Sequence, residues 1–193
     1  MANNPVTARE VHIGRASRSD ADAIALLHAE SWRDNYRGAY SDRFLDGAVF
    51  QDRRHAWTTR LQDESSSAIT LVARAGTELA GFAHTIREED PMWGALLDNL
   101  HVAPAFKRQG VGRKLMAASA RAVLKEKAGT GLYLWVLEQN TAAQDFYRRL
   151  GGVFEGKEHM EAKGGGSIIA LRVAWHDLEL LGAEAADHDA RVR

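Results

Sequence analysis

The hydrophobic positions switch repeatedly between a strand period and a helix period along the chain. Val11–Arg15 reads as a short strand. From Asp20 to Arg33, Ile24, Leu27, His28 and then Ser31 or Trp32 recur at helical spacing, with Ser19 or Asp20 available as the cap. A second helix is expected from about Asp42 to Leu61, and Gly47 inside it favours a break into two. Strands follow at Ala68–Ala75 and Glu78–Ile86, joined by a hairpin turn at Gly76-Thr77. The polar run Arg87–Gly94 reads as a loop, and Ala95–Ala103 as a strand ended by Pro104. Gly110 to Lys127 is helical, with Val111, Leu115, Ala118 or Ser119, and Ala122 on one face. Gly131–Leu137 is an apolar run of the kind buried on both faces. Thr141–Leu150 is a short helix stopped by Gly151 and Gly152. Strands at Val153–Met160 and Ser167–Trp175 flank the glycines at 164–166.

The unit from Ala95 to Leu137 is strand–helix–strand, so it predicts a right-handed crossover between parallel strands. The remaining connections read as antiparallel hairpins. The expected fold is therefore α/β: a mixed, mostly antiparallel sheet of seven strands flanked by helices. No internal repeat or long linker interrupts the pattern. One domain is expected over residues 1–181, with 182–193 as a flexible tail poor in apolar residues.

Composition narrows the class. Among 193 residues, 45% are hydrophobic and 26% charged, which is ordinary for a globular protein. The net charge of -1 supplies no basic footprint for nucleic acid. Cysteine is absent, which excludes disulfides, thiolate metal sites and cysteine nucleophiles. No His, Asp and Glu pattern suggests a metal. No apolar run approaches the ~20 residues of a spanning helix, and MANNPVTARE lacks the apolar core of a signal peptide. A cytoplasmic protein with no membrane or nucleic-acid partner is expected.

The strongest chemical signal is LDNLHVAPAFKRQGVGRKLM, Leu97 to Met116. A strand ends, a basic turn with two glycines follows, and a helix begins inside that turn. Unpaired N–H groups of a first helical turn attract anions. Gly110 and Gly112 lack a Cβ that would keep a phosphate away, and Lys107, Arg108, Arg113 and Lys114 add positive charge. The spacing fits neither the dinucleotide fingerprint nor the nucleotide P-loop. It resembles the GNAT acetyltransferase motif [RQ]-x-x-G-x-[GA], with Lys107 where the family usually has Arg or Gln. A second segment, LYLWVLEQNTAAQDFYRRLG, resembles the family's strand followed by N-x-x-A-x-x-F-Y and a glycine, here Asn140, Ala143, Phe146, Tyr147 and Gly151. On these two motifs the chain is identified as resembling the GNAT N-acetyltransferase superfamily, loosely over Val11 to Trp175.

The resemblance implies the family's acyl-CoA N-acyltransferase fold, with acetyl-coenzyme A as cosubstrate. It implies that strands ending near Val102 and Leu137 splay apart. The pantetheine arm would pair with the backbone of Leu100, His101 and Val102. The diphosphate would sit on the turn Lys107, Arg108, Gln109, Gly110, Val111, Gly112 and Arg113. Asn140 would contact the arm or the chain nearby. Tyr147 matches the family's usual acid for the leaving thiolate; without the motif it would read as a core tyrosine. The Val102 N–H is the expected oxyanion donor. The base is less defined. Some members carry a glutamate five residues before the motif asparagine, where this chain has Trp135, and many others carry one early in the preceding strand. Asp98 is the first candidate here, against a plain solvated strand residue, with His84, His101 and His159 behind it. HAESWRDNYRGAY resembles a recurrent segment of bacterial members. It suggests Trp32, Tyr36 and Tyr40 as acceptor-pocket residues, with core packing as the competing reading. Trp135 and Trp93 are further aromatic candidates, and Glu88, Glu89 and Asp90 a cation-attracting loop.

Three functions are compatible: acetylation of a small-molecule amine, which is favoured; acetylation of a protein N-terminus or lysine; and a weakly catalytic acyl-CoA sensor. A homodimer through the C-terminal strands is compatible with the pattern.

Overall fold

The computed structural model describes residues 9–63, 67–126 and 131–183. One seven-stranded sheet has the order β1-β2-β3-β4-β5-β7-β6. Its strands are β1 His12–Arg15, β2 Ala68–Ala75, β3 Glu78–Asp90, β4 Gly94–Val102, β5 Leu132–Leu137, β6 Val153–Glu161 and β7 Ser167–Trp175. Only β4 and β5 pair in parallel; the other pairs are antiparallel. The helices packed on it include α1 Ala21–Asn35, α2 Val49–Gln62, α3 Val111–Lys125 and α4 Thr141–Arg149, and residues 178–183 after β7 are also helical.

Strand alternation sends neighbouring residues to opposite faces. On one face Val72 and Phe82 pack against Ile24, Ala25 and Leu27 of α1 and Trp57 of α2. On the other, Leu71, Ala73, Ala83, Leu97, Leu134 and Val136 pack with Leu115, Met116, Ala120 and Val123 of α3 and Tyr147 of α4. The result is a three-layer α/β molecule.

Three local outcomes differ from the sequence pattern. Before α1 the chain makes a 3₁₀ turn, Arg18–Asp20, capped by Ser17, and the Asp20 carboxylate reaches back to the Ser17 N–H at 2.6 Å. The second helix does not break in two at Gly47 but runs on through it, with a π turn at Phe44–Ala48. The polar run after Ile86 is not all loop, because β3 continues to Asp90. That arm is polar, so hydrophobic alternation could not reveal it. At the other end of the chain, Leu178 and Leu181 are buried in the main core and Arg121 Nη1 donates to the Gly182 carbonyl at 2.8 Å. The expected tail at 182–193 falls, from residue 184 on, outside the described residues.

The feature that makes a site is the short contact between β4 and β5. They pair only at Ala95↔Leu132 and Leu96↔Tyr133. Two glycines permit the close approach at that end: a Cβ on Gly94 would strike the Gly131 backbone, and one on Gly131 would lie 2.9 Å from the Trp175 carbonyl. Past this weld β4 carries a β-bulge opposite His84–Thr85, where Asn99 faces His84 and Leu97 faces Thr85, leaving Asp98 as the extra residue. Beyond it β4 stays paired with β3 and parts from β5.

Candidate active site

The parting strands open a cleft of about 570 Å³ lined by β4, β5, the turn before α3, the start of α4 and the C-terminal half of α1. Backbone polarity in it follows from register. Ala103 N–H donates to the Ala80 carbonyl at 2.9 Å. Hydrogen-bonded pairs alternate along an antiparallel ladder, so His101 is bonded to Phe82. Leu100 and Val102 therefore turn their N–H and C=O groups the other way, into the opening where β5 is missing.

At one end of the cleft the chain passes from a 3₁₀ turn, Pro104–Phe106, to α3. Gly110 is the helix N-cap in the left-handed region, φ 79°, with no side-chain cap. Arg108 also has positive φ, 65°. A left-handed non-glycine residue beside a left-handed cap turns successive N–H groups to one side, a geometry that binds anions. Lys107, Arg108, Gly110, Val111, Gly112 and Arg113 all line the cleft. Gln109 does not; its side chain donates to the Ala105 carbonyl at 2.7 Å and braces the turn. Gly112 has a different role from the one its sequence position suggests. Its missing Cβ faces Phe146 Cζ at 3.1 Å and Val102 Cγ2 at 3.7 Å, so it permits α3 to approach α4 and β4.

Tyr147 lines the cleft, 9% exposed, and burial pushes its phenol well above the ordinary tyrosine value. It is therefore protonated, able to donate. Asn140 also lines the cleft, and its Oδ1 accepts the Ala143 N–H at 3.1 Å as the N-cap of α4. Asp98 lines the cleft from the bulge, with Oδ2 at 2.9 Å from Arg60 Nη1.

The opposite wall comes from α1. Tyr36 lines the cleft, and its phenol is raised by burial and by Tyr40, Tyr147 and Asp98. Trp32 does not line it; the indole packs behind Tyr36, at 5.5 Å between ring centroids, with the Arg53 guanidinium 4.2 Å from its own ring. For Trp32 the core-packing reading is the one the geometry supports. Trp135 does line the cleft, and Arg172 lies 4.6 Å from its ring and 4.6 Å from that of Trp93.

The histidines divide. His101 lines the cleft, with Nδ1 at 2.7 Å from Ser31 Oγ, and burial pushes it down to about 3. His84 is buried against Thr70 Oγ1 at 2.8 Å, and His159 is exposed on β6; neither lines the cleft. Ser31, Asn35, Asn99, Phe106 and Phe146 line the cleft as well. Phe146 belongs to the second motif, whereas the other four carry no such signal, because each reads as an ordinary helix, strand or turn residue. Asn35 Nδ2 donates to the Ser31 carbonyl at 2.7 Å, which ties two of these together. Among the described residues no group of three or more His, Asp or Glu could hold a metal ion, and no helix is long and apolar enough to cross a membrane.

A cleft with an anion-binding turn at one end, an unpaired strand edge along its length and a buried phenol suits a long carrier with a phosphate tail and a reactive acyl end. Comparison with known proteins agrees. Residues 27–152 match the model of the acetyltransferase (GNAT) family. The uncharacterized N-acetyltransferase YuaI of Bacillus subtilis (strain 168) is 26% identical over 173 residues, 89% of this chain and 96% of that protein. The PaiA N-acetyltransferase of Thermoplasma acidophilum, crystallised with coenzyme A, superposes with a TM-score of 0.64 at 20% identity, covering 86% of this chain and 99% of the other. The putative acetyltransferase yncA of Salmonella typhimurium, solved with acetyl-CoA, gives 0.63 at 17% identity, covering 86% and 93%. The chain belongs to the GNAT acetyltransferase family and is an acyltransferase.

Proposed function

We propose that this acetyltransferase moves the acetyl group of acetyl-coenzyme A onto the primary amine of a small molecule by direct attack. The observation that carries the reading is one cleft whose lining includes the Gly110 turn, Leu100 and Val102 of the strand edge, and Tyr36, Asp98, Trp135 and Tyr147. In this reading the diphosphate lies on the N–H groups at the start of α3, and the pantetheine arm fills the place of a strand beside β4. The acceptor amine, unprotonated, attacks the thioester carbon. The Val102 N–H steadies the carbonyl oxygen as charge develops there. The carbon–sulfur bond breaks, Tyr147 gives its proton to the departing sulfur, and Asp98 takes the proton that the amine nitrogen loses, directly or through water. Solvent returns both groups to their starting states. The reaction would run in the cytoplasm.

The aromatic side chains of the cleft, Tyr36 and Trp135, suit a small amine with an apolar or cationic body. Two measurements test the assignment. Calorimetry with acetyl-coenzyme A is expected to give saturable binding, and its absence at millimolar donor would sink the reading. Release of free thiol across a panel of small amines and unstructured peptides then distinguishes acceptors: turnover of peptides alone points to a protein N-terminus or lysine, and binding without any turnover points to a sensor.

A further inference from the structure

The bulge in β4 does more than part the strands. Consecutive strand residues face opposite sides of a sheet, yet Asp98 and Asn99 both reach the same guanidinium. Arg60 Nη1 lies 2.9 Å from Asp98 Oδ2 and donates to Asn99 Oδ1 at 3.1 Å. Only the extra residue of the bulge allows this. Arg60 comes from the last turn of α2, and its guanidinium lies 5.1 Å from the ring of Trp57, which is fully buried. Arg60 is thus held between a fully buried aromatic ring and two side chains of the bulge.

We infer that Arg60 is a positioning residue that holds the Asp98 carboxylate toward the acceptor amine. This rests on the assignment of Asp98 as the proton acceptor. Arg60 engages Oδ2, which leaves Oδ1 for the amine proton. Tyr36, which lines the cleft, and Tyr40 packed against it sense the charge of Asp98, and from β3 His84 senses both Asp98 and Arg60. A carboxylate on a bulge without such a partner could swing to solvent, and a misplaced proton acceptor loses rate even when its chemistry is intact.

A residue that works through another has no effect once that other is gone. The test is a double-mutant cycle of Arg60→Met, Asp98→Asn and both together, with kcat and the KM for acetyl-coenzyme A measured on each folded protein. Arg60→Met is expected to lower kcat on the order of 10-fold in the native background and not at all in the Asp98→Asn background, with donor KM unchanged. Arg60→Lys, which keeps charge but not the planar fork, is expected to recover part of the loss. Equal losses in both backgrounds, or full activity of Arg60→Met, would overturn the inference while leaving Asp98 as the proton acceptor. Full activity of Asp98→Asn would overturn both. If Arg60→Met does not fold, Arg60→Gln serves in the same cycle.

Discussion

Tyr147 and Asp98 line one cleft from different elements, and each assignment hangs on a single group. Tyr147→Phe removes only the hydroxyl. If that group protonates the departing sulfur, kcat falls ~10²-fold or more while donor affinity holds. An unchanged kcat at saturation would return Tyr147 to the core, where its ring already packs at 5.2 Å from Phe146 and 5.9 Å from Trp175. Asp98→Asn separates two further possibilities by its pH dependence. If the carboxylate takes the amine proton, the variant is slow near neutrality and partly recovers at higher pH, where more of the acceptor is free amine. Full activity across pH would leave an ordered water as the acceptor of that proton. The two loop glycines part company at this scale. Gly110→Val forces a β-branched residue to φ 79°, which costs about 1–3 kcal/mol and distorts the turn proposed to hold the diphosphate. Gly112→Val instead drives into Phe146 and moves a cleft wall.

Individual elements explain what could be read from the sequence and what could not. The turn from Lys107 to Arg113 and the helix from Thr141 were readable because their chemistry is local: glycines, basic residues and an asparagine cap lie within a few positions of what they do. Asn140 illustrates this, since its Oδ1 holds the Ala143 N–H that starts the helix carrying Phe146 and Tyr147. Asn140→Ala is expected to cost about 1 kcal/mol, or roughly 2–4 °C in Tm for a chain of this size, and to raise donor KM through the displaced helix. Asn140→Ser, which keeps a capping oxygen, should restore Tm; a rise in KM that persists in Asn140→Ser with native Tm would assign the side chain to the ligand directly. The elements that escaped the sequence are those set by distant partners. Arg60 lies 38 positions from Asp98 and meets it only because a bulge turns β4 toward α2. Ser31 and His101 are 70 positions apart and share one hydrogen bond. Trp32 looked like a pocket residue at helical spacing from Tyr36, and only tertiary packing decides that one lines the cleft and the other backs it.

For the molecule as a whole, the layer between α1, α2 and the sheet hides an unusual set of titratable groups. His28, His84 and His101 lie close together, around Trp57 and Phe82, with His28 and His101 rings 4.6 Å apart. His28 Nδ1 accepts the Trp57 indole N–H at 2.9 Å, and its Nε2 has no partner among the described residues. Burial is the first cause that holds all three below the ordinary histidine value. It pushes His84 to about 4 and His101 to about 3, and it holds His28 well down, assisted by His101 and the nearby Arg53 and Arg60. In the unfolded chain each titrates near ~6.5. Between that value and the folded values the unfolded state binds more protons than the native one, so stability rises with pH across the window. The three histidines therefore leave the fold at full stability above ~6.5 and draw stability away as pH falls toward 4, each by up to about 1.4 kcal/mol per pH unit. Asp20 and Asp46, whose carboxyls are held below the ordinary aspartate value, add their own loss only at lower pH. Thermal melts should show a Tm that is level from pH 8 to 7 and declines steadily below ~6.5, before carboxylates enter. His84→Gln, which removes one of the protons taken up on unfolding, should make the decline shallower. A Tm indifferent to pH between 7 and 5 would mean that these histidines become charged inside the fold, and the packing around His28 and His84 behind the cleft would have to be reassigned as one that admits water.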